Sequence, residues 1–74
     1  MNEENVPFVI KVIQDLADAS SLVNSHFKDE KKTTIWMNSS NPLLGNKTPS
    51  EMIFENRTEK LMDFIKSSLI ENET

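Results

Sequence analysis

Few residues in this chain are of a type that does chemistry. There is one histidine, His26, and no cysteine. A histidine serving as general base needs a group that orients it, and none is visible around His26 in the sequence. Its place near the end of a helical stretch suits a cation set against the helix dipole. Asp15 with Asp18, and Glu59 with Asp63, are carboxylate pairs one helical turn apart. Such pairs hold a hard cation only with further oxygen ligands, and on a helix they normally form a solvated face. Gly45-Asn46-Lys47-Thr48 resembles the end of a phosphate loop, but position 40 is Ser where that loop needs Gly, and no strand leads into it. The inventory points away from catalysis, and no cofactor or metal ligand set is expected.

Charge narrows the partners. The chain has twelve acidic and eight basic residues, a formal net charge of −4. Duplex recognition needs a basic stripe, whereas the one basic cluster, Lys28, Lys31 and Lys32, is interrupted by Asp29 and Glu30. No nucleic-acid binding by this chain alone is expected. An acidic body suits a basic protein partner, and it is also ordinary solubility charge. Met1 is followed by Asn2-Glu3-Glu4-Asn5, not by a basic segment and an apolar core, and no apolar run is long enough to span a membrane. The expected location is the cytoplasm.

The elements that position these residues are helical. Seventy-four residues make one domain, 1–74. Val9, Val12, Ile13, Leu16, Ala17, Leu22, Val23 and Phe27 recur at helical spacing, which predicts a long first helix from about Val6 to Ser25. Phe8 and Ile10 lie off that stripe, so this helix is expected to be apolar on more than one face, which fits burial against a second copy, a homodimer, or against a partner. Asp29 is the expected N-cap of a second helix, Glu30 to about Asn38, whose Trp36 is the expected core anchor. Asn41-Pro42 starts a short turn through Leu43-Leu44, and Gly45 suits a left-handed position. Thr48-Pro49-Ser50-Glu51 reads as a capping box with proline at N1, opening a helix from Pro49 to about Phe54. Asn56 with Glu59 is a second such box, opening a helix that ends near Ile70, with Leu61, Phe64, Ile65, Ser68 and Leu69 on one face. The expected fold is all-α, a single small bundle of about four helices. Its core is expected to rest on Trp36, Ile13, Leu16, Leu61 and Ile65.

Trp36, Asn41-Pro42, Leu44-Gly45, Lys47-Thr48-Pro49 and Glu51, followed by an amphipathic helix, also carry a resemblance. Over roughly Phe27 to Ile70 the chain resembles the toxin-binding domain of Xre/MbcA/ParS-type antitoxins, which partner RES-domain toxins. The resemblance implies a non-catalytic module that binds and neutralises an NAD-consuming toxin by blocking its active site. It implies a partner surface on the C-terminal helix, Asp63, Lys66, Glu71 and Glu73, with Asn41, Pro42, Leu44, Gly45 and Thr48 as a second contact. Glu71 and Glu73 oppose the dipole of their own helix, which fits a role outside it. The chain departs from the family pattern in that its 74 residues are not expected to have room for a DNA-binding domain as well, and Asn46 stands where a second Gly is common. Two other functions fit the residues: a structural or oligomerisation domain, and a small acidic inhibitor from a phage or mobile element aimed at a basic protein.

Overall fold

A computed structural model describes residues 6–70. The fold is all-α. Helix α1 (Val6–Phe27) is followed by α2 (Glu30–Met37), a 3₁₀ turn (Pro42–Leu44), α3 (Pro49–Phe54), α4 (Thr58–Ile65) and a π-helical continuation (Lys66–Ile70). The long helix lies along one side, and α2, α3 and α4 all pack on it. Among the described residues no helix is long and apolar enough to cross a membrane.

Helix α1 runs to Phe27, one turn's fraction beyond the expected Ser25, because its exit is anchored. Lys28 takes a left-handed backbone, φ 53, and its N–H reaches back to the Asn24 carbonyl at 2.7 Å. The Asn24 side chain then ties the corner: its Oδ1 accepts from the Asp29 N–H at 3.1 Å and lies 2.9 Å from the Thr33 hydroxyl. Asp29 caps α2 as the sequence implies, accepting from the N–H groups of Lys31 and Lys32. Thr33 is buried with its hydroxyl satisfied, so the corner needs no water to complete it.

Val12, Ala19 and Val23 from α1, Met37 from α2, Met52 and Ile53 from α3, and Leu61 and Ile65 from α4 form the buried core. Leu16 is half-buried against it. Two expected anchors are not in that core. Ile13 is 61% exposed. It follows Val12, and one residue of helix turns a side chain about 100°, so burying Val12 rotates Ile13 outward. Trp36 is half-buried at the rim, where its ring stacks on Phe64 with centroids 6.4 Å apart; its neighbour Met37 takes the inner position. The second predicted capping box also fails. Asn56 sits at φ 61, with its N–H on the Ile53 carbonyl (3.0 Å) and the Arg57 N–H on the Met52 carbonyl (2.8 Å). That bond pair is a Schellman motif closing α3. Helix α4 instead begins at Thr58, with Arg57 at the cap and no side-chain cap bond. It ends at Ile65, and the wider π turns that follow set Leu69 and Ile70 against the core.

Asp15 on α1 accepts from Lys11 Nζ at 2.6 Å and from the Thr58 hydroxyl at 2.8 Å, joining the middle of α1 to the start of α4. The bonds from Lys11 and then Thr58 lower its carboxyl below the ordinary carboxylate range. A lowered folded-state value stabilises the fold above the unfolded value, about 3.9, and the contribution is lost as pH falls through the folded value. Asp15→Asn should therefore be less stable than wild type at neutral pH, and the gap should close in acid. Paired urea titrations measure this; a gap independent of pH would leave the carboxylate without that role. Truncating the fully buried Leu61 to Ala should cost about 2–5 kcal/mol, while Leu43→Ala, at an exposed site, should stay within about 0.5 kcal/mol. Far-UV circular dichroism during denaturation reads both.

Candidate partner-binding surface

The 41–48 segment is a small closed structure. Asn41 caps the 3₁₀ turn, its side chain accepting from the Leu43 N–H at 2.9 Å. Its carbonyl receives the N–H groups of Leu44 (2.9 Å) and Asn46 (3.0 Å), and its own N–H donates to the Lys47 carbonyl at 3.0 Å. Three bonds thus converge on one backbone unit and bring the two ends of the loop together. Gly45 and Asn46 both adopt left-handed backbone, φ 70 and φ 64, to make the turn. Asn tolerates that region better than other side-chain-bearing residues, so Asn46 can serve where glycine would.

Below the loop, Thr48 and Glu51 form the expected reciprocal cap of α3, at 3.0 and 3.1 Å. Lys47 Nζ meets Glu55 at 2.6 Å, and Arg57 approaches the same carboxylate at 3.8 Å. The Lys47 bond, first, holds Glu55 below the ordinary carboxylate range. Ser50 donates to the Met37 carbonyl at 2.9 Å, fastening the start of α3 to the end of α2.

Asn41, Gly45 and Thr48 are thus committed to shaping the loop. Pro42 occupies its first turn, and Leu44 faces inward, half-buried against the core. Leu43, absent from the sequence-derived site, is 78% exposed at the tip. Its signal in the sequence was the Leu-Leu pair after proline: in so short a turn, adjacent side chains cannot both face the core. Asp63 and Lys66 are exposed on α4 and its continuation, and no hydrogen bond or ion pair among the described residues joins them to the loop. Glu71 and Glu73 lie outside the described residues.

A groove follows α1 on the side of α2 and α3. At one end it has a volume of about 340 Å³ and is lined wholly by apolar side chains, Phe8, Val9, Val12, Ile13, Leu16 and Phe54. Beyond Leu16 and Phe54 it continues between Ser20, Thr34, Asn38 and Ser50. The carboxylate pairs do not line this groove: Asp15 is engaged by Lys11 and Thr58, while Asp18, Glu59 and Asp63 are exposed. No cluster of three or more metal-ligating side chains occurs among the described residues. His26 lies edge-on to Phe27, ring centroids 4.9 Å apart.

Charge is distributed differently from expectation. Residues 6–70 hold eight acidic and eight basic side chains, so the body is formally neutral. The whole −4 belongs to Glu3, Glu4, Glu71 and Glu73. The body is not the acidic surface that the total charge suggests.

Comparison with protein families, curated proteins and solved structures gives no match for this chain.

Adding a Cβ at Gly45 would meet nothing within 4 Å. Gly45→Ala should therefore lose only the left-handed backbone preference, about 1–2 kcal/mol, with no steric term. A thermal melt checks it. A larger loss would mean that the loop supports more of the fold than its own bonds indicate.

Proposed function

We propose that this chain is a non-catalytic interaction module of the antitoxin type, which binds and neutralises a RES-domain toxin. The observation that carries the reading is the 41–48 loop. The motif residues Asn41, Gly45 and Thr48 are spent on holding a closed loop, and that loop displays Leu43, 78% exposed, on a pre-shaped backbone. A pre-organised loop loses little entropy when it docks, and an apolar side chain at its tip can fill a pocket on a partner. Leu43 would be the anchor, with Asp63 and Lys66 at the rim of the contact. Rim charges act mainly on the association rate. The negative charge of Glu71 and Glu73 would help the module approach a basic cleft.

The direct test is co-expression with a RES-domain toxin encoded beside this gene, followed by growth, cellular NAD and co-purification. The chain should restore growth and NAD and purify with the toxin. Leu43→Asp should weaken the complex about tenfold or more, equivalent to about 1.4 kcal/mol, without lowering helical content. Deleting Glu71 to Thr74 should slow association, chiefly at low salt. A folded chain that neither binds nor rescues would overturn the proposal.

A further inference from the structure

Helix α4 and the turns after it do not keep one period. Leu61 and Ile65 are both fully buried and stand four residues apart, as an α-helix requires. The segment that follows, Lys66–Ile70, is π-helical. Its bonds span five residues, so each residue turns less than in an α-helix, and Leu69 and Ile70 are both brought against the core. Continued as an α-helix, the same residues would sit differently. Ser68 stands three after Ile65 and seven after Leu61, which would set a hydroxyl on the buried side. Ile70 stands about two and a half α turns after Leu61, which would turn it away from the core. The π turns thus bring to the core an isoleucine that an α-helix would leave in water.

The α register would give Ile70 another place. It stands seven after Asp63 and four after Lys66, so the three would share one face, and Asp63 and Lys66 are both exposed. We infer that residues 66–70 have two registers, π in the free chain and α in contact with the partner, and that the change turns Ile70 out as an apolar anchor between Asp63 and Lys66. The inference rests on the toxin-binding reading above and deepens it. A π segment is rare and its bond geometry is poorer than that of an α-helix. Only a half-buried side chain is gained in return, because Ile70 is not part of the fully buried core. The two terms oppose each other, so the registers are close in energy. A partner that binds one register better shifts the population toward it. The pocket that does so takes a branched apolar side chain and carries groups of both signs at its rim, opposite Asp63 and Lys66.

NMR couplings across hydrogen bonds, read on the labelled full chain, test this. In the free chain the Ile70 N–H should couple to the Ile65 carbonyl, and in complex with the RES-domain toxin to the Lys66 carbonyl. Ser68→Leu adds an apolar group where only the α register buries it. It should show the Lys66 coupling already in the free chain and bind the toxin about threefold tighter or more. Ile70→Ser removes what holds the π turns, so it too should be α in the free chain, but without the anchor it should bind about tenfold more weakly. Two variants with the same register and opposite effects on affinity separate the anchor from the register. A free wild type that shows the Lys66 coupling overturns the inference, as do two variants that move affinity in the same direction. A complex that forms through Leu43 while the Ile65 coupling persists overturns it too, and leaves the proposed function standing. A chain that binds no toxin overturns both.

Discussion

A helix of six or eight residues does not hold its shape alone in water, because too few hydrogen bonds repay the cost of starting it. Three of the four α-helices here are of that length, and only α1, with 22 residues, is long. The fold therefore depends on the buried stripe of α1, Val12, Ala19 and Val23, against which the short helices become stable. Each short helix adds one or two side chains to that stripe: Met37, then Met52 and Ile53, then Leu61 and Ile65. What keeps each in register is polar and local. Asp29 caps α2, the Thr48–Glu51 box caps α3, and Thr58 reaches Asp15 at the start of α4. The apolar contacts supply the energy, and these bonds decide where each helix may begin.

That division explains what could be read from the residues. Capping is short-range chemistry, and Asp29, Asn41 and Thr48 with Glu51 act as their spacing indicates. The helical character, the long first helix and the 3₁₀ turn were legible for the same reason. Burial is not local. Nothing in the order Val12-Ile13 or Trp36-Met37 says from which side α3 or α4 will arrive, and in both pairs the smaller or plainer residue went inside. Asn56 was ambiguous for another reason. Asparagine serves equally as an N-cap and as a left-handed helix exit, and the apolar residues Met52 and Ile53 just before it resolved the choice toward the exit. The candidate site was legible as a loop. Its exposed tip, Leu43, was not, because a repeated leucine conceals which copy faces out.

The two surfaces differ in kind. The 41–48 loop is a small, tightly bonded projection with one apolar side chain at its end, and the α1 groove is a long shallow face without charge. The groove therefore offers no sign by which to choose a partner, whereas the loop and the charged ends can choose one by pocket and by sign.

Among the described residues, three other than glycine hold left-handed backbone, Lys28, Asn46 and Asn56, and each lies just past a helical segment. Asparagine bears this cheaply, but lysine has no side-chain bond that favours it, so position 28 carries a backbone cost of about 1–2 kcal/mol, set against the bond from its N–H to the Asn24 carbonyl at 2.7 Å. Across a domain whose total stability is of the order of 5 kcal/mol, that is a large share. The chain thus sits below the stability its own architecture would permit. What lysine supplies instead is the first charge of the basic cluster that follows α1. At the corner between α1 and α2 a costly backbone conformation and an exposed positive charge thus fall on the same residue.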